Sequence, residues 1–373
     1  MQIGVPTEIK TQEFRVGLTP DSVAELTRAG HAVAVQAGAG VGSGFADADY
    51  AGAGATLHPD ADALFAASEL IVKVKEPQPE ECARLTPDHT LFTYLHLAAD
   101  PSQARGLMGS GATAIAYETV TDRAGRLPLL VPMSQVAGRM SMQVAAWALM
   151  KTRRGRGILL GGVPGVPPAD VVILGGGVSG THAAEIAVGM RSMVTVFDRS
   201  NPRLAELDKQ FSGLIRTRYS TSAAVEEAVR HADLVIGAVL VPGATAPKLV
   251  TRAMLKTMKP GAVLVDIAID QGGCFETSHP TTHEDPIFEV DRVLHYCVAN
   301  MPGAVPRTST LALNNATLPF VLDLANQGVR GALAADPHLA RGLTVAGGKI
   351  THAAVADGLG EPCARPDWLP EAD

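Results

Sequence analysis

A chain of 373 residues with 46% apolar and 18% charged side chains has the mass for two cores of ordinary size and is not a disordered polymer. Its formal net charge of -7 argues against nucleic acid as a main partner, and no apolar run reaches the roughly 18 residues of a membrane span. Cys82, Cys274, Cys297 and Cys363 are scattered without a C-x-x-C pair, as expected in a reducing cytoplasm, and the start Met1-Gln2-Ile3-Gly4 lacks a signal peptide's basic and apolar regions.

The first 130 residues alternate short apolar strands with helical patterns, which predicts parallel strands joined by crossover helices. Strands are expected over residues 2–5, 31–36, 70–75, 90–95 and 112–117. Thr19 caps a helix that starts at Pro20 and is closed by Gly30. Ligands of open α/β sheets bind beyond the carboxyl ends of strands. Glu8 and Arg15 follow the first strand, Lys75 ends another, and His96 comes directly after a third. Residues 133–151 read as a long helix, and a loop rich in arginine and glycine follows it.

Val171-Val172-Ile173-Leu174 is a buried strand, and Gly175, Gly177 and Gly180 complete a G-x-G-x-x-G turn. A helix over residues 179–190 and a strand over 193–197 follow, with Asp198 at that strand's end. Gly175 permits the tight turn, Gly177 admits a pyrophosphate, and Gly180 lets the helix pack against the sheet. The helix N-terminus offers unpaired N–H groups to phosphate. Asp198 is placed for the ribose hydroxyls and repels a 2′-phosphate, so NAD is expected rather than NADP, although Arg199 stands next to it.

Further strands are expected over 214–219, 233–239, 262–266 and 293–298, and helices over 222–231 and 251–258. Together with the two glycine-loop strands they make a six-stranded dinucleotide fold. A helix over 308–324 returns toward the first domain, and the tail from 325 reads as a helix and irregular chain.

By chemistry, Arg15 suits a carboxylate, Lys75 a carbonyl or carboxylate oxygen, His96 a proton transfer, and Asp270 an amine or imine. Cys274, His279 and His283 are zinc-ligand types, but Pro280 interrupts the histidine pair and no second cysteine is near, so no metal is expected.

Several stretches carry a resemblance that covers nearly the whole chain. They are Gly4-Val5-Pro6-Thr7-Glu8-Ile9-Lys10 with Glu13-Phe14-Arg15-Val16, Val72-Lys73-Val74-Lys75-Glu76-Pro77, Tyr94-Leu95-His96-Leu97-Ala98, and Val131-Pro132-Met133-Ser134. The glycine loop, Val265-Asp266-Ile267-Ala268-Ile269-Asp270-Gln271, and 296–310 complete the set. The sequence resembles the alanine dehydrogenase / pyridine nucleotide transhydrogenase alpha family. The resemblance implies two α/β domains: a parallel-sheet substrate domain, residues 1–130 and 307–373, and an NAD-binding Rossmann domain inserted at 131–306, joined by long helices. It implies reversible oxidative deamination of L-alanine to pyruvate and ammonia in a cytoplasmic homohexamer. Arg15 and Lys75 would hold the substrate, and His96 and Asp270 would be catalytic. Ser134, Asp198, Ser220, Val239, Leu240, Ile267 and Met301 would contact NAD, with Gly175, Gly177, Val178, Gly180, Arg203 and Asp270 completing the cofactor set. Rival readings are the nucleotide-binding part of a proton-translocating transhydrogenase, a lysine-forming saccharopine dehydrogenase, and an NAD-responsive module without a substrate pocket.

Overall fold

The computed structural model describes residues 1–239 and 246–369. They form two compact units, Met1–Met133 with Gly303–Asp373, and Ser134–Pro302. Each unit is built on one sheet.

In the first unit the strands are β1 (Gln2–Val5), β2 (Ala32–Gln36), β3 (Thr56–His58), β4 (Leu70–Val72), β5 (Thr90–Thr93) and β6 (Thr113–Ala116). The second unit supplies β7 (Asp170–Leu174), β8 (Met193–Asp198), β9 (Ile215–Tyr219), β10 (Leu234–Gly237), β11 (Val263–Asp266), β12 (Ile287–Val290) and β13 (Val293–Tyr296). The chain then returns to the first unit with β14 (Leu343–Ala346) and β15 (Lys349–Ile350).

The first sheet has the order β15-β14-β6-β5-β4-β1-β2-β3, with β1 to β6 all parallel. Alternate residues feed opposite faces. Leu70, Val72 and Phe92 join one apolar cluster, and Ile71 and Leu91 join another. Both faces are therefore covered, which is why these strands read as continuous apolar runs. The order reverses direction between β1 and β4, and such a switch point opens a crevice at the carboxyl ends of the two strands.

The second sheet has the order β12-β13-β11-β10-β7-β8-β9 and is parallel except for β12. Its switch point lies between β7 and β10. The glycine loop leaves β7 at that place.

The structure corrects the sequence reading at the edges of both sheets. The expected all-parallel first sheet carries β14 antiparallel to β6, and β15 antiparallel to β14. The tail expected to hold no strand thus supplies two. The second sheet has a seventh strand, β12, in a hairpin with β13. The helix expected over 308–324 runs from Pro306 to Ala335 and is interrupted at Gly328, whose φ is 70° and ψ 156°. The helix Val131–Ala148 carries the chain across the boundary between the units. Among the described residues, no helix is long and apolar enough to cross a membrane.

Candidate active site

Four neighbouring strands of the first sheet, β1, β4, β5 and β6, deliver their following residues to the same sheet edge. After β1 come Glu8, Glu13 and Arg15. After β4 come Lys73 and Lys75. Tyr94 and His96 follow β5, and Tyr117 and Glu118 follow β6.

Arg15 is 2% exposed. Its Nε donates to Glu13 Oε1 at 2.7 Å and its Nη2 to Glu13 Oε2 at 2.6 Å, a two-point fork. The same carboxylate accepts the Arg15 backbone N–H at 3.0 Å. Nη1 lies 3.0 Å from Met133 Sδ, a weak acceptor. Burial works against the guanidinium charge, but the hydrogen bonds and charge of Glu13 prevail and hold its pKa above the ordinary value.

Lys75 is set by a second carboxylate. Glu8 Oε1 accepts from Val74 N at 2.7 Å and Oε2 from Lys75 N at 3.4 Å. Glu8 also receives Lys73 Nζ at 3.2 Å, and Lys73 reaches Glu81 Oε1 at 2.5 Å. All three of these side chains are buried. One ammonium is thus shared by two carboxylates. Burial raises the Glu8 pKa more than Lys73 lowers it, and the two acids together keep Lys73 charged against the cost of burial.

His96 has left-handed backbone angles, φ 51° and ψ 35°. Its ring stacks on Tyr94 at 5.9 Å and an interplanar angle of 5°. Tyr94 is fixed in turn by its hydroxyl, which donates to Leu129 O at 2.5 Å. The imidazole is half exposed.

In the second unit the glycines do what their positions require. A Cβ on Gly180 would lie 1.8 Å from Gly175 O, so no side chain fits there. Gly175 has φ +105°, a conformation that favours glycine. Gly177 is the N-cap of the helix Val178–Gly189, and a Cβ there would meet nothing within 4 Å. The space over this helix N-terminus is the cradle that a pyrophosphate needs, so these residues fit a dinucleotide.

Asp198 ends β8. Its Oδ2 accepts Gly176 N at 2.8 Å, and its Oδ1 accepts Ser200 N at 2.8 Å. Arg203 turns onto the same loop, with Nε on Gly176 O and Nη2 on Thr181 Oγ1, both at 2.7 Å. Ser220 follows β9 and donates its N–H to Asp198 O at 2.9 Å. Val239 follows β10. Ile267 and the exposed Asp270 follow β11. Asp266 closes the loop that carries Asp270: its carboxylate accepts Ala268 N at 3.2 Å, Cys274 N at 2.8 Å and Ser278 Oγ at 2.6 Å. Ser134 lies in the helix Val131–Ala148, and buried Met301 opens the turn Met301–Ala304. Leu240 lies outside the described residues. Of the three zinc-type residues, Cys274 is buried and His279 lies on Phe288 at 3.7 Å.

Lys73, Glu81, Glu118 and Asp266 escape a reading by spacing. Lys73 and Lys75 both follow β4 at alternate positions, and nothing in Val72-Lys73-Val74-Lys75 tells which one is buried.

A doubly wound sheet with this glycine turn, and a second α/β unit with cations gathered at one sheet edge, define the class: a two-unit dinucleotide-binding protein of the dehydrogenase type. The family models "Alanine dehydrogenase/PNT, N-terminal domain" and "Alanine dehydrogenase/PNT, C-terminal domain" match residues 4–137 and 141–353. The chain belongs to this alanine dehydrogenase/PNT family. It is 61% identical over 360 residues to an alanine dehydrogenase of Halomonas elongata, covering 96% of this chain and 97% of that one. A solved L-alanine dehydrogenase superposes with a TM-score of 0.94 at 54% identity, over 96% of this chain and 99% of that one. A transhydrogenase structure from Sinorhizobium meliloti gives 0.80 at 26% identity, over 95% and 100%.

Proposed function

We propose that the chain is an NAD-dependent alanine dehydrogenase that converts L-alanine to pyruvate and ammonia, reversibly. The observation that carries this reading is the convergence of Arg15, Lys75 and His96 on the carboxyl ends of adjacent strands in a chain that also holds an intact dinucleotide turn. NAD, when bound, supplies the acceptor for the hydride that leaves the alanine Cα.

The chain's own residues do the rest. Arg15, held on its Nε–Nη2 edge by Glu13, pairs with the substrate carboxylate through its remaining N–H groups. Lys75 places a positive charge beside the oxygen that becomes the carbonyl of pyruvate. Loss of hydride and of one ammonium proton to solvent leaves protonated iminopyruvate, and His96 takes a proton from the water that adds to it. His96 then returns that proton to nitrogen, and the hydroxyl proton passes to solvent as the C–N bond breaks, so that pyruvate and ammonia depart. Asp270 favours the cationic intermediates. Asp198 puts negative charge beside the glycine loop, and Arg203 is engaged by Gly176, Thr181 and Glu206, so both support NAD over a cofactor with a 2′-phosphate. The reading extends to a cytoplasmic homohexamer, which light scattering on the purified protein tests.

The test of activity is direct. Purified protein with L-alanine and NAD should generate reduced cofactor, and pyruvate with ammonia should consume it. A transhydrogenase component or a binding module would bind nucleotide and leave alanine untouched.

A further inference from the structure

We propose that Glu118 is a positioning residue for the reaction, one that aims His96 by holding its backbone; this rests on the reading of His96 as the acid/base group. The His96 imidazole is 49% exposed, so packing alone does not fix it. Its aim depends on a backbone that a non-glycine residue adopts only when something holds it there. Glu118 Oε1 accepts the His96 N–H at 2.6 Å and the Leu95 N–H at 3.2 Å, and Oε2 accepts the same Leu95 N–H at 3.2 Å. The carboxylate thus takes two consecutive amides at the left-handed turn. Its nearest approach to the ring, 4.0 Å to Nδ1, is beyond hydrogen-bond range. Glu118 therefore touches the imidazole's support and not the imidazole.

The clamp is itself anchored. Glu118 sits in the short turn Tyr117–Thr119 after β6. Tyr117 is fully buried, donates its hydroxyl to Lys73 O at 3.0 Å, and packs edge-on against Tyr94 at 5.0 Å. Tyr117, the chain neighbour of the clamp, and Tyr94, the ring that stacks on His96, therefore belong to one packed aromatic group. The same device recurs at this sheet edge, where Glu8 takes the amides of Val74 and Lys75. A side chain that fixes geometry without touching substrate should act on turnover more than on substrate binding.

The experiment is a double-mutant cycle of Glu118→Ala with His96→Ala, read in kcat and in KM for L-alanine. Glu118→Ala should lower kcat about 10- to 100-fold, with KM within about threefold of wild type. In the His96→Ala background the same change should cost less than about threefold, because the group it aims is gone. Glu118→Gln keeps one acceptor oxygen and should fall only about three- to tenfold short in kcat. Wild-type kcat in Glu118→Ala, or an equal fold-loss with and without His96, would overturn the proposal. If Glu118→Ala does not melt cooperatively, Glu118→Gln decides: lowered kcat with normal melting supports the clamp, and unchanged kcat removes it. His96→Ala alone with near-normal turnover would instead defeat the reading of His96, an outcome distinct from failure of the clamp.

Discussion

Arg15, Lys75 and His96 in the first unit are each held by a carboxylate, from Glu13, Glu8 and Glu118 respectively. In the second unit the loop over residues 175–180 is shaped chiefly by missing side chains, with Asp198 and Arg203 bracing its backbone. One unit presents charge, which must be paired wherever it is buried. The other presents bare amides, which need room. The two therefore fail differently. Loss of a carboxylate or its cation in the first unit leaves buried charge uncompensated, whereas a side chain added at Gly177 in the second blocks a ligand without disturbing the core.

The sharpest break in that contrast is Lys73→Ala, which leaves Glu8 and Glu81 buried without their ammonium. It should cost on the order of 3–5 kcal/mol in chemical denaturation. A loss below about 1 kcal/mol would show that the acids are solvated and the network is not buried in solution.

One buried titratable group of the second unit, His295, behaves in the opposite sense to Lys73. His295 is fully buried between Thr277 Oγ1 and Val293 O, and burial pushes its pKa down to about 4. An unfolded chain takes up a proton near pH 6.5, and the folded one does so only near pH 4. Stability is therefore complete above 6.5 and declines as pH falls toward 4, by about 3 kcal/mol at most. Melting temperature against pH for wild type and His295→Gln checks this: the variant's curve should be flatter across that window, and parallel curves would refute it.

His96→Ala should lower turnover on the order of 100-fold while leaving NAD affinity nearly intact, as steady-state kinetics and nucleotide titration would show. A large loss of NAD affinity would blur the division between the units. The smallest expected effect is at Gly177. Gly177→Val projects into the open space over the helix N-terminus and should weaken NAD about tenfold with unchanged melting. Unaltered affinity would place the pyrophosphate elsewhere.

The same contrast explains what the sequence reveals. The glycine loop is legible because each glycine has a local reason, and strand, turn, helix and acid follow in order. The first unit's site is legible only in its cations. Two of the three carboxylate partners come from other strands or loops: Glu118 lies 22 positions from His96 along the chain, and Glu8 lies 66 from Val74, whereas Glu13 is local to Arg15. Periodicity reports burial along one element and is silent on such pairings. The edges differ in the same way. The β14–β15 hairpin turns on Gly347-Gly348, both at positive φ, so its signal is present in the tail. The β12–β13 hairpin turns on Asp291-Arg292, also at positive φ but without a glycine, and no local pattern announces it.

One labelling experiment reaches the centre of the proposed chemistry. L-alanine deuterated at Cα, turned over with NAD, should yield reduced nicotinamide that carries the deuterium, with the label absent from solvent. Reduced cofactor without the label, or no turnover of alanine in either direction, would contradict hydride transfer from the alanine Cα.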